Sequence, residues 1–231
     1  MQANLFALNA KAPLWPLQAA YPEALTAPGF AALRALAAER AQEVYVVGGF
    51  VRDFLRRQPG KDVDIVTLGS GVALAQAFAE RIHADEVVTY ENFGTALVRA
   101  GDFHFEFVGA RKESYRKDSR KPLVEDGSLR DDQLRRDFTI NALYLDLHPE
   151  RFGRLVDAFN GYADLANGII RTPTDPDITF SDDPLRMLRA IRFGSCLQFF
   201  IEERTFAGIH RNRERISIVS MERIAEELNK M

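Results

Sequence analysis

The sequence predicts an α/β domain that gives way to an all-α segment. Three observations carry this. The β-rich run Val44–Val47 enters Gly48-Gly49 and a short helical stretch, and a second β-rich run, Asp62–Thr67, then carries two aspartates one residue apart. Further on, Phe103, Phe105 and Phe107 alternate with His104 and Glu106, the period of a half-buried strand. From Pro173 to Met231 the segments read as helices.

The elements follow in order. Residues 1–28 are Ala- and Pro-rich and irregular. Gly29–Gln42 forms a helix on Phe30, Leu33 and Leu36. Strand Val44–Val47, helix Phe50–Arg57, strand Asp62–Thr67 and the amphipathic helix Gly71–Ile82 come next. The short strands Val87–Thr89 and Thr95–Arg99 are joined by the turn Asn92–Ala96, and Phe103–Arg111 is a longer strand. Lys112–Gln133 carries both charge signs with no apolar period and reads as a mobile loop. In Arg135–Leu143, Asp137 suits the N-cap of a following helix, and Asn141 lies one turn further on the same side. Leu155–Leu165 is a strand, a turn and a helix start, with Asp157 and Asp164 as turn and cap carboxylates. Phe180–Phe193 opens a helix with Pro184 at a favoured first-turn position. Arg186, Arg189 and Arg192 form one stripe on it, opposite Leu185, Leu188 and Ile191. Glu202–Asn212 is a further helix, with Arg211, Arg213 and Arg215 clustered near its end as a candidate RNA-facing patch. A last helical pattern runs through Ser220–Leu228 to Met231.

With 231 residues, 46% hydrophobic and 27% charged, the chain suits one large domain or two modest ones. A formal net charge of −3 does not announce a nucleic-acid binder, so any RNA contact must come from a local basic surface. One cysteine, Cys196, excludes an internal disulfide and a multi-cysteine metal site, and fits a reducing, cytoplasmic setting. Its apolar helical context marks it as a small core residue rather than a nucleophile. No apolar run reaches membrane-spanning length. Pro13 and Pro16 interrupt Leu5–Tyr21 and no basic stretch precedes it, so it is not read as a signal peptide.

Chemistry concentrates in the first motif. Side chains alternate along a strand, so Asp62 and Asp64 point one way while Val63 and Ile65 point into the core. Two carboxylates on one face can share Mg²⁺, which takes oxygen ligands and keeps positions for phosphates. Paired glycines let backbone N–H groups approach a triphosphate closely. Each signal alone is ordinary: such aspartates are commonly solvated strand ends, a carboxylate like Glu106 is commonly exposed, and an arginine stripe is commonly a solvated face.

The ordered combination is more specific. It resembles the opening motif of the DNA-polymerase-β-like nucleotidyltransferases, in the class of bacterial CCA-adding tRNA nucleotidyltransferases and bacterial poly(A) polymerases. Arg135-Arg136-Asp137-Phe138-Thr139-Ile140-Asn141 resembles that family's second motif, Leu155–Leu165 its third, and Asp182-Asp183-Pro184-Leu185-Arg186 its nucleotide-selecting motif, where Asp182 stands in place of the usual Glu. Ser220–Leu228 resembles its fifth, structural motif, so the likeness runs from Val44 to the end. It implies an α/β head with a mixed β-sheet and helices on one side (residues 1–172), then an all-α neck for base selection (173–231), without the helical body and tail that hold tRNA. It implies Asp62 and Asp64 as metal-holding catalytic carboxylates, with Glu106 as a third. Gly48, Gly49, Arg52 and Arg136 would meet the nucleotide, Asp137 and Asn141 its ribose, and Asp183, Arg186, Arg189 and Arg192 its base side. The Lys112–Gln133 loop would take part in moving from C to A addition. The implied reaction adds C and A from CTP and ATP to tRNA 3′ ends with Mg²⁺ and releases pyrophosphate. Poly(A) polymerase, or a non-catalytic nucleotide-binding fragment, are the alternatives.

Overall fold

A computed structural model describes residues 14–116 and 119–231, with no description of the side chains of residues 92 and 112–124. The irregular reading of residues 1–13 therefore lies outside the described residues. In chain order the α/β part comprises α1 (Pro28–Glu39), β1 (Val44–Val47), α2 (Gly49–Leu55), β2 (Asp62–Thr67), α3 (Gly71–Ile82), β3 (Glu86–Tyr90), β4 (Thr95–Ala100), β5 (Phe103–Gly109), β6 (Arg111–Arg116), β7 (Ser119–Asp126), α4 (Leu129–Leu134), β8 (Leu143–Asp146), β9 (Leu155–Asp157), α5 (Gly161–Asn167) and β10 (Ile169–Ile170). There follow α6 (Pro176–Asp182), α7 (Leu185–Leu197), β11 (Phe200–Ile201), α8 (Glu203–Asn212) and α9 (Met221–Asn229).

Seven strands form a mixed sheet in the order β3-β4-β5-β2-β1-β8-β9. Only β2 and β5 run parallel, and this central pair sets Asp64 beside Glu106 and Asp62 beside His104. The alternation predicted for β2 and β5 holds: Val63, Ile65, Phe105 and Phe107 are buried in the main core with Phe30 and Leu33 of α1 and Phe78 of α3. The four carboxylate and histidine positions stand on the other face, which is what leaves that face open for chemistry. The C-terminal helical region is tied back to the preceding α/β part through its backbone, since β10 pairs in parallel with β11. No helix among the described residues is long and apolar enough to cross a membrane.

Several sequence expectations change here. Lys112–Gln133 is not one loop: β6 and β7 pair as an antiparallel hairpin, and α4 follows. A Ser128–Asp131 capping box starts that helix, and Asp132 and Gln133 on it are buried, so local capping and buried polar partners supply what apolar periodicity does not show. Asp137 caps no helix. Thr139–Asn141 is a single 3₁₀ turn, because Leu143–Asp146 is drawn into the sheet against β1. The helix opened at Pro184 is α7, and what the sequence does not show is the separate α6 before it; Asp183 between them is extended (φ −138°, ψ 102°), as the residue before a proline prefers. On α7 the arginine stripe turns inward rather than to solvent. Met187, Ala190 and Phe193 pack into the core, whereas Ile191 is 45% exposed. Cys196 is exposed, not a core residue, because it lies on the outer side of this rotated helix near the chain's last residues.

Candidate active site

The site begins where β1 ends. Gly48 has φ +71° and ψ −133°, which only glycine adopts readily, and this kink lets the chain turn straight from the strand into α2. A Cβ on Gly48 would stand 3.1 Å from Oδ2 of Asp64 and 3.6 Å from Nη1 of Arg136. A carboxylate from β2 and a guanidinium from the segment before β8 thus meet at a backbone position that has no side chain. Gly49 starts α2 beside Arg52.

Along the open face, Asp62, Asp64 and Glu106 form a row of like charges. Asp62 is nearly bare to solvent and receives a hydrogen-bond contact from Nδ1 of His104 at 3.0 Å. Burial first, and then the neighbouring Asp62, push the Asp64 carboxyl above its usual range, against the pull of Arg136. Partial desolvation and the charge of Asp64 push Glu106 up as well. Such a row is electrostatically unfavourable without a cation, and its hard oxygen donors fit Mg²⁺. Among the described residues no three or more His, Cys, Asp or Glu are gathered into a ready-made cage. Mg²⁺ needs none, since one or two carboxylates with substrate phosphates complete its shell.

Most of the remaining predicted residues belong to two polar clusters. Arg136 donates to Asp132 and to the Tyr144 hydroxyl, Tyr144 donates to Asp132 at 2.6 Å, and Arg135 also pairs with Asp132. Asp132, fully buried, thereby fixes the guanidinium that faces Gly48. On the other flank Arg52 donates to Oδ1 of Asn141 at 2.7 Å, and Asn141 donates to Oδ1 of Asp137 at 3.0 Å. Arg189 of α7 closes on Oδ2 of Asp137 at 2.8 Å. Buried Glu227 of α9 then accepts from Arg189 and, at 2.6 Å, from Arg192. The Phe193 ring packs against Arg52, Arg189 and Arg192, with the guanidinium carbons 4.2–5.3 Å from its centroid. Arg52 of α2, Asn141 and Asp137 of the segment before β8, and Arg189 of α7 are therefore one contiguous chain of contacts.

Asp183 and Arg186 flank this network. Asp183 accepts from the Leu185 N–H and from Arg223, and Arg186 donates to the carbonyls of Arg135 and Thr179. Asp157 and Asp164 are structural, as the sequence suggests: Asp157 accepts from the N–H groups of Gly161 and Tyr162, and Asp164 from Thr139 and Arg171. Arg211 is paired with Asp177, Arg213 with Glu214, and Arg215 donates to the Ser181 carbonyl. Sequence reasoning missed Asp132 and Tyr144. The available signal was Asp132 placed three and four residues before Arg135 and Arg136, a helical ion-pair spacing.

Burial alone would raise the carboxyls of Asp132 and Asp137. The Arg136 and Arg135 charges outweigh it at Asp132, and Arg189 with the Asn141 hydrogen bond outweighs it at Asp137, so both are held at about 2. A carboxyl lowered in the native state stabilises fully above its unfolded value, near 3.9, and loses that contribution as pH falls through its native value. We expect each to contribute about 2 kcal/mol near neutrality, lost as pH falls from 5 toward 2. Urea melts across that range measure it. Asp137→Asn, less stable at pH 6, should lose about 2 kcal/mol less over the same interval than the native chain does. An equal loss in both would remove Asp137 from the acid-sensitive set.

Residues 44–171, more than half of the chain, match the family described as "Poly A polymerase head domain". The chain belongs to that family. Past this head domain, residues 198–231 match "Probable RNA and SrmB- binding site of polymerase A". The chain is 44% identical over 191 residues to a CCA-adding enzyme of Lactobacillus helveticus, covering 82% of this chain and 46% of the relative. It is 39% identical over 198 residues to an A-adding tRNA nucleotidyltransferase of Halalkalibacterium halodurans, covering 84% and 46%. It therefore spans about half the length of the curated relatives it matches. Among solved structures, an apo CCA-adding enzyme superposes with a TM-score of 0.80 at 35% identity, over 92% of this chain and 50% of that one. A tRNA nucleotidyltransferase complexed with a primer tRNA and an incoming ATP analog superposes with a TM-score of 0.74 at 33% identity, over 85% and 55%. The head and its mixed sheet are those of nucleotidyltransferases.

Proposed function

We propose that this chain is the nucleotidyl-transferring part of an enzyme that adds C and A, from CTP and ATP, to tRNA 3′ ends without a template. The observation that carries this is the meeting of Asp64 with Gly48 and Arg136 at one end of a carboxylate row. That gives a place for a triphosphate, with cations and a bare backbone on one side and oxygen ligands on the other. The similarity to CCA-adding enzymes supports the choice of substrates.

In the reaction an RNA 3′-hydroxyl attacks the α-phosphate, the bond to the β-phosphate breaks, and pyrophosphate leaves. Asp62 and Asp64 would hold Mg²⁺, with Glu106 beside them. The bound ion would neutralise phosphate charge and favour loss of the hydroxyl proton. Arg136, fixed by Asp132 and Tyr144, presents its charge to the triphosphate at the Gly48–Gly49 turn. Arg52, held by Asn141 and by a two-point ion pair with Asp53, would add a second guanidinium. Asp137 and Asn141, now bonded to each other and to Arg189 and Arg52, would exchange part of that chain of contacts for a ribose hydroxyl. Groups already locked by neighbours need little rearrangement as charge develops, which is how such a site accelerates transfer. Residues 1–172 would form the catalytic head and 173–231 the base-selecting neck, and the enzyme would act in the cytoplasm.

The test incubates the protein with tRNA lacking its 3′ end, CTP, ATP and Mg²⁺. The expected product is ordered and stops after C, C and A. Addition of A alone to tRNA ending in C-C would assign A-adding activity. A long A tail would assign poly(A) synthesis, and binding of ATP without incorporation would leave a nucleotide-binding fragment.

A further inference from the structure

On the open face of the sheet, the functional surface continues past Glu106. Leu97 of β4 stands opposite Glu106 in register, and Tyr90 of β3 stands opposite Thr95, so both side chains share the carboxylate face. Leu97 is 37% exposed, Tyr90 45%, and Phe93, in the tight turn between β3 and β4, 72%. These three, with Thr95 and Glu106, line a shallow cavity of about 200 Å³. A single exposed ring is unremarkable on a protein surface, but a cluster of two rings and a leucine walled by an active-site carboxylate marks a binding surface.

We propose that this ledge seats the unpaired base at the 3′ end of the RNA being extended, which sets the terminal ribose beside Glu106. The proposal rests on the nucleotidyl-transfer reading and adds to it a place for the second substrate. Three features choose this occupant. The ledge lies on the β3–β4 side of the carboxylates, whereas Gly48 and Arg136 lie on the β1–β8 side. The attacking hydroxyl and the triphosphate would therefore approach the carboxylates from opposite sides, as a displacement at phosphorus requires. The cavity sets two ring faces and an aliphatic side chain toward solvent, with polar groups from Thr95 and Glu106 at its wall. Every base has a stackable face, so such a surface holds a terminal base of any identity, which suits a primer whose last base changes at each addition. Tyr90, Phe93 and Leu97 are thus positioning residues: they touch the primer, not the reacting phosphate.

The test uses the whole chain with Phe93→Ala, Tyr90→Ala and the double variant, and with Phe93→Tyr as the conservative replacement. The probe is a short single-stranded RNA whose 3′-terminal nucleotide is 2-aminopurine, whose fluorescence is quenched on stacking. The native chain should quench it on binding. The alanine variants should weaken binding roughly 5- to 100-fold and lose the quench, because stacking on one aromatic side chain carries an effect of that size. ATP affinity should stay within twofold, and Phe93→Tyr should restore both readouts. In turnover the variants should raise KM for primer while KM for ATP stays unchanged. RNA binding within twofold of the native chain in the double variant overturns the proposal, as does a parallel loss of ATP affinity, which would make the ledge structural. Failure of the native chain to bind the RNA end also overturns it, and so does a change in oligomeric state with RNA binding unaltered, which would assign the rings to a protein contact. Binding through the ledge without any incorporation would leave the ledge standing and remove the nucleotidyl-transfer reading instead.

Discussion

Replacing Asp64 with alanine should abolish nucleotide incorporation and leave a folded protein. The two halves of this expectation have separate causes. Asp64 lies next to the Gly48 turn and beside Glu106, so its loss removes an oxygen ligand where the triphosphate and Mg²⁺ would meet. Loss of one preorganised electrostatic partner in a transferase site costs roughly 10²–10³ in rate, and a shared metal ligand should cost at least that much. The fold should survive because Asp64 is held against its preference. Its carboxyl is pushed up by burial and by the Asp62 charge, so at neutral pH the ionised group costs native-state stability rather than adding to it. Asp64→Ala should accordingly melt no lower than the native chain in Mg²⁺-free buffer. It should also lose the upward shift that Mg²⁺ with nucleotide gives the native chain, since a ligand bound only to the folded state stabilises it. Asp62→Ala should show the same rate defect, and its nearly bare side chain makes a folding defect still less expected. Single-turnover incorporation and thermal melts with and without Mg²⁺ measure both. Near-native rates in either variant would remove that carboxylate from the metal site.

What the sequence made legible was the part governed by local rules. Alternation along β2 and β5 placed Asp62, Asp64 and Glu106 on one face and Val63, Phe105 and Phe107 in the core, because strand geometry has only two faces. The bounds of β1, β2 and α3 were readable from Gly, Pro and apolar spacing. What failed needed long-range partners. The Arg186–Arg189–Arg192 stripe could not be told from a solvated face on helical spacing alone, and only resemblance pointed it to a nucleotide. It turns inward because Asp137 is 52 residues away from Arg189 in sequence, and Glu227 is 38. Asp137 looked like a helix cap because nothing local says that Leu143–Asp146 will be captured by β1. Asp132 was hidden in a charged stretch, since burial of a carboxylate is visible only once Arg135, Arg136 and Tyr144 surround it. The motif around Asp137 and the one at the start of α7 could be found by resemblance, but their joining through Asp137–Arg189 could only be found in three dimensions.

Base choice should carry the largest effect of all. An enzyme that accepts C and A without a template must use what those bases share. Both offer an exocyclic amino donor beside a ring-nitrogen acceptor, whereas uracil offers a carbonyl and a ring N–H in the same places. A carboxylate paired with a guanidinium matches the first pattern and opposes the second. We propose Asp183, extended just before α7, and Arg186, buried in its first turn, as that pair. They adjoin the Asp137–Arg189 contact, since Arg186 acts on the Asp137 carboxyl and Asp183 on Arg189. Their present partners are exchangeable in kind: Asp183 accepts from an N–H and a guanidinium, and Arg186 donates to two carbonyl oxygens. A base edge could replace those contacts with the same polarity. Uracil or guanine would instead leave a buried group unpaired, which for a site built on hydrogen bonds gives discrimination on the order of 10⁴-fold. Asp183→Ala and Arg186→Ala should therefore raise UTP and GTP incorporation relative to CTP and ATP. If the two residues only cap and brace α7, all four nucleotides should lose rate together as the melting temperature falls. Competition among the four triphosphates separates these outcomes, and unchanged relative selectivity in both variants would remove Asp183 and Arg186 from base reading.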